Sequence, residues 1–120
     1  MLQERMDRIQ QTGAALGMSI DDGDTHRIAS LSRLMGTDFM ATRGIKPQRV
    51  EPLTPLEVKR YDRMQEEAIQ DLGLMVQAAE SNNFTAIATV YNDVRSRCAS
   101  CHRSFVDRPV MVALPVLKNF

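Results

Sequence analysis

The chain has no tryptophan, few aromatic residues, only two cysteines and two histidines, and no excess charge of either sign. Each shortage removes a class of protein. Lys and Arg number 15 and Asp and Glu also number 15. Nucleic-acid binders carry a basic excess on one face, so this balance argues against one. No apolar run approaches the roughly 18 residues needed to cross a membrane. The opening MLQERMDRIQ is already amphipathic, with no basic segment followed by an apolar one, so it carries no visible export signal. No stretch alternates apolar and polar residues as strands do, and there are no repeats or low-complexity segments. There is also no paired-carboxylate, Ser/His/Asp or phosphate-loop signature, so nothing suggests an enzyme.

What is present is helical periodicity. At 120 residues the chain is sized for one domain, residues 1–120, large enough to bury a core and a cofactor with it. Leu2, Met6, Ile9, Gly13, Leu16 and Ile20 recur at spacings of three and four, a core-facing stripe. Gly13 leaves a gap in it where a bulky neighbour can approach. Asp21-Asp22-Gly23 breaks the pattern and Asp24 is a good N-cap for a second helix, from about Thr25 to Ala41. Ile28, Leu31, Met35 and Phe39 line that helix. Gly44, Pro47 and Pro52 then mark an irregular connection, long for a compact domain.

Thr54-Pro55-Leu56-Glu57 is a capping box with proline at the first helical position, where its missing N–H costs nothing. Val58, Tyr61, Ala68, Leu72, Met75 and Ala79 follow along one face. After the short Ser81-Asn82-Asn83 turn, Phe84, Ile87, Tyr91, Val94, Cys98, Cys101 and Phe105 form the fourth stripe, which Pro109 is expected to end. The pattern predicts an all-α fold, an up-down-up-down antiparallel four-helix bundle. The apolar tail from Val110 to Phe120 is expected to cover the bundle, with a homodimer interface as the other use for it.

The chemistry lies in Cys98-Ala99-Ser100-Cys101-His102, a C-x-x-C-H haem-attachment motif. Thiols three residues apart lie about one turn apart on one helical face, placed to bond two vinyl groups on one porphyrin edge. The next residue then offers an imidazole to the iron. Three plainer readings compete. A thioredoxin-like pair belongs near a βαβ pattern, and no strand is visible. A closed zinc site needs four ligands, and beyond this motif the chain has only His26, far off in sequence. A disulfide between cysteines so close would close a trivial loop.

Tyr91-Asn92-Asp93-Val94-Arg95-Ser96-Arg97 running into this motif near the C-terminus of an all-helical chain resembles the class II c-type cytochromes: cytochrome c′ and its low-spin relatives. The resemblance spans most of the chain, although only the haem box is highly specific. It implies one covalent haem c, with Cys98 and Cys101 as attachment points and His102 as proximal iron ligand. Low-spin members use a methionine of the first helix as sixth ligand, and Met6 matches that placement, seventeen residues before Gly23. Met6 also reads simply as a packing residue; Met1, Met18, Met35 and Met40 are weaker candidates. The implied function is one-electron transfer by a six-coordinate His102/Met6 centre, exchanging electrons with redox partner proteins. The alternative is a five-coordinate cytochrome c′ that binds NO or CO.

In bacteria such haem attachment takes place outside the cytoplasmic membrane. The resemblance therefore implies a periplasmic protein whose export signal, or an anchor that would tie it to the membrane, has been removed. Two family features are missing. The position four after the histidine is Val106 rather than basic, with Arg103 and Arg108 nearest. The position four before the distal residue is Leu2 rather than arginine, leaving Arg5, Arg8, Arg43 and Arg49 as candidates to meet haem propionates. Tyr91 and Phe105 are expected to pack on or beside the porphyrin, and Tyr61 in the core.

Overall fold

The computed structural model describes residues 2–106 and 114–119. Four helices account for most of them: α1 (Leu2–Asp22), α2 (Thr25–Ala41), α3 (Pro55–Glu80) and α4 (Phe84–Phe105). No strand occurs among the described residues. Each helix packs against the next in sequence, while α1 meets α4 only briefly. The molecule measures 44 × 22 × 22 Å. A helix of the 26 residues in α3 is about 39 Å long at 1.5 Å per residue, so one helix spans nearly the whole long axis. The architecture is consistent with a four-helix bundle.

The helix boundaries follow from local chemistry. Gly23, at φ +71°, closes α1. Its N–H donates to Ile20 O at 3.0 Å and the Asp24 N–H to Ser19 O at 3.0 Å, the paired bonds of a Schellman cap. Asn82, at φ +52°, does the same for α3, with Asn82 N–H to Ala79 O at 3.1 Å and Asn83 N–H to Ala78 O at 2.9 Å. Asp24 and Asn83 then cap α2 and α4, and Thr54 and Glu57 form the full reciprocal capping box of α3. Helix α4 stops at Phe105, where Val106 turns extended. Pro109, expected to end it, lies outside the described residues.

Leu16, Ile20, Ile28, Met35, Leu72, Met75, Ile87, Tyr91 and Val94 are fully buried and form the centre of the core. Each such side chain contributes roughly 1.5–3 kcal/mol through removal from water. The described part of the tail completes the core where α1 and α4 barely meet. Leu114 and Leu117 are buried, and Tyr91 Oη donates to Pro115 O at 2.7 Å. The Lys118 and Asn119 N–H groups donate to Asp21 Oδ1 at 2.8 and 3.1 Å. Covering the bundle, rather than leaving it, is what these tail residues do.

Two glycines one turn apart on α1 make this close approach possible. A Cβ on Gly13 would lie 2.3 Å from Leu114 Cδ2; one on Gly17 would lie 2.4 Å from Tyr91 Oη and 2.7 Å from Pro115 Cγ. Gly17→Ala is therefore expected to destabilise the protein. Alanine gains about 1 kcal/mol in helix propensity. Overpacking against a fully buried tyrosine costs about 1–3 kcal/mol, and loss of its hydrogen bond about 1 more. A net loss of about 2 kcal/mol in urea unfolding is the expected outcome; unchanged or raised stability would contradict the tail's placement.

Candidate functional site

The four helices together enclose a cleft. All four residues singled out in the sequence line it: Cys98, Cys101 and His102 from α4, and Met6 from α1. The enclosed space is about 40 Å³, well below the about 300–1,000 Å³ usual for cofactor and ligand sites, so a bulky group could enter only if the helices part. Ile9, Met35, Phe39, Ala68 and Leu114 make most of the remaining wall apolar. Only Gln10, Gln65, Arg97 and the Tyr61 hydroxyl add polarity.

The stripe spacing explains the convergence. Cys98 and Cys101 are one turn apart on the face of α4 that also carries Val94, Tyr91 and Ile87 into the core, so both thiols turn inward. Both are free rather than bonded to each other. Burial pushes the Cys98 thiol up to about 12, with the nearby Cys101 adding to the effect and Arg97 opposing it. Burial alone pushes Cys101 up to about 11. Reactive redox cysteines need depressed values and electropositive, accessible surroundings. These thiols stay protonated at neutral pH, which is the wrong setting for a thioredoxin-like pair.

His102 is half-buried at the cleft wall, and its Nδ1 is buried with no hydrogen-bond partner. Burial lowers its pKa below the ordinary 6.5 and keeps the imidazole neutral, the form that ligates metals. Among the described residues no three His, Cys, Asp or Glu side chains come together as a metal-binding group. His26 is exposed at the start of α2, away from the cleft. The set required for a closed zinc site is therefore not assembled.

The shifted imidazole has a measurable consequence for the chain without cofactor. Below pH 6.5 the unfolded chain takes up a proton on His102 that the folded chain resists. The unfolded state then binds more protons, so stability falls as pH drops through and below that value. The urea midpoint is expected to decrease from pH 7.5 to 5.5, and less steeply in His102→Gln. An identical pH slope in the two proteins would remove the burial argument.

The methionines separate cleanly. Met6 and Met35 line the cleft, while Met18 is 64% and Met40 44% exposed and neither reaches it. Met1 lies outside the described residues. Met64 also lines the cleft, unanticipated from sequence, as do Gln65 and Arg97. Tyr91 and Phe105 do not line it: Tyr91 packs under the tail, and Phe105 stacks edge-on against Tyr61 at 5.5 Å between centroids. Tyr61 takes the cleft position expected of them. Its hydroxyl donates to Ile45 O at 3.1 Å, and Gln65 Nε2 lies 3.1 Å from that hydroxyl and 3.0 Å from Thr42 Oγ1. This buried network ties the long 42–54 connection to the cleft wall.

The arginines offered for propionates are mostly occupied. Arg43 pairs with Glu66 at 2.6 Å, Arg49 with Glu57 at 3.4 Å and Arg8 with Asp38 at 3.5 Å. Arg108 lies outside the described residues. Arg97, in the wall itself, is held by Asp71 at 2.7 Å and by Glu67. Arg5 and Arg103 have no ion-pair partner among the described residues. No protein-family model, curated protein or solved structure matches the chain.

Proposed function

We propose that the protein is a one-electron carrier of the class II c-type cytochrome kind, with one haem c bound in the cleft. The observation that supports this is the convergence of Cys98, Cys101, His102 and Met6 on a single, mostly apolar cavity. Periodicity alone puts dozens of residues on inward faces; it does not require these four to share one space. The apolar lining of the cleft matches the faces of a porphyrin, which would have to part the helices to enter, and the buried, unpartnered His102 Nδ1 belongs to an imidazole that otherwise lies idle against apolar walls.

In this reading Cys98 and Cys101 Sγ would carry the thioether bonds, and His102 and, from the α1 wall, Met6 would ligate the iron. The haem supplies the Fe(III)/Fe(II) couple; the chain binds it, keeps water out and sets its potential. Ile9, Phe39, Ala68 and Leu114 exclude water, and thioether ligation favours reduced iron. An up-down-up-down order is part of this reading, and the short Gly23-Asp24 and Ser81-Asn82-Asn83 turns support antiparallel pairing of α1 with α2 and of α3 with α4. The proposed location is the periplasm, where such haem is attached, and the partners are other redox proteins.

The absorption spectrum of the protein made with the haem-ligation machinery tests this reading. A low-spin ferric form and slow CO binding by the ferrous form are expected, since Met6 as a ligand would compete with CO for the iron. A high-spin ferrous form that binds CO at once would favour the five-coordinate, NO- or CO-binding reading instead.

A further inference from the structure

We infer that the face of α3 bearing Leu56, Lys59, Arg60 and Arg63 is the surface on which an acidic partner protein docks to exchange electrons with the cofactor. The inference rests on the haem reading above and adds the route and the partner's chemistry. The four positions follow the spacing i, i+3, i+4, i+7, so they share one side of the helix. All four are exposed, Leu56 at 58% and the Arg63 side chain at 82%. The face borders an open groove whose lining includes Glu57, Met64, Glu67, Ser104 and Phe105.

Charge on this face is unbalanced although the whole chain is neutral. The groove's two carboxylates are already engaged: Glu57 with Arg49 at 3.4 Å, and Glu67 with Arg97 and with Arg63 at 3.2 Å. The other acids nearby on α3, Asp62 and Glu66, pair with Lys46 and Arg43 of the long connection. Lys59 and Arg60 have no carboxylate partner among the described residues, and neither has Arg103 on α4, next to Ser104 of the groove. A cationic rim around a partly apolar floor complements a carboxylate-studded surface and steers its approach.

The route inward is short. Met64 lines both the groove and the cleft that holds Cys98, Cys101 and His102. A partner seated in the groove would thus meet a side chain that also faces the cofactor cleft. Ser104 and Phe105 continue the same helix that bears the cysteines, so the groove lies beside the attachment motif rather than at the far end of the molecule.

The test compares Arg60→Glu/Arg63→Glu with Arg27→Glu/Arg33→Glu, an equal charge change on α2. Electron exchange of the haem-loaded proteins is timed with anionic hexacyanoferrate(III) and with cationic tris(phenanthroline)cobalt(III). At low salt the α3 variant is expected to react about five- to tenfold more slowly with the anion and faster with the cation. The α2 variant should change little, and 0.5 M salt should erase the differences (on the order of a 4 Å screening length). Equal effects in both variants, or none, would overturn the assignment. Docking has a second readout that needs no cofactor: an octaglutamate peptide added to the 15N-labelled chain. Shifts confined to Lys59–Met64 and Ser104 support the surface even if the protein never binds haem, whereas shifts elsewhere or none remove it. A chain without a haem spectrum fails the haem reading at the outset and is thereby told apart from a failure of the docking face.

Discussion

Met6→Ala is expected to convert the ferric centre from low to high spin, lower its reduction potential and make ferrous CO binding fast. Met6 is half-buried on the α1 wall of the cleft, with His102 on the α4 wall. If its sulfur completes the iron's coordination, its loss removes both the strong field and the thioether's preference for reduced iron. The weak long-wavelength charge-transfer band of a ferric thioether bond should vanish with it. A Met6 that merely packs gives another result. Truncation would then cost about 2–5 kcal/mol of stability, less for a half-buried side chain, and leave the spin state unchanged. In that event Met35→Ala and Met64→Ala are the informative variants, because only those two other described methionines line the cleft.

The second large effect concerns the thiols. Cys98→Ala/Cys101→Ala is expected to release all of its haem into acid-acetone, with the wild type retaining its own. One thioether suffices to hold a porphyrin against extraction, so each single variant should keep haem at reduced yield. The double variant should also unfold at lower denaturant concentration than the loaded wild type. A cofactor that dissociates stabilises only through its occupancy, whereas a tethered one never leaves the cleft. Retention of haem by the double variant would show that these cysteines are not the attachment points.

Much of this arrangement is legible in the sequence, because its determinants are local. The Thr54–Glu57 capping box, the Asp24 cap and the Gly23 break each act within one turn and appear where their residues stand. The Cys98–His102 spacing is likewise a property of one helix. The other cleft residues depend on how the helices are rotated against one another, and periodicity leaves that angle open. Tyr61, Met64, Gln65 and Arg97 all occupy α3 or α4 positions that a stripe analysis assigns to the core or to solvent. Tyr91 and Phe105 share the cysteines' stripe but lie one or two turns from the cleft. There the tail and Tyr61, respectively, already occupy the neighbouring space.

The tail is only partly specified by local sequence. Its apolar composition implies cover, and Gly13 marks a place for close approach. Nothing local specifies that Leu114 and Pro115 fill the gap between α1 and α4 across Gly13 and Gly17. Arg97 shows the same limit for charge. In sequence it is one of many arginines; in the fold it is fixed beside Cys98 by Asp71 and Glu67, whose separation from it in the chain hides the pairing.

Covalent attachment of one haem to Cys98 and Cys101 is read out by the intact mass of the denatured protein. Produced in the bacterial periplasm with haem-ligation proteins and measured under acid, the chain should carry the added mass of one haem. Its tryptic peptide containing Cys98–His102 should bear all of that increment. A chain at its unmodified mass, with both thiols free to alkylate, would rule out haem attachment at these cysteines.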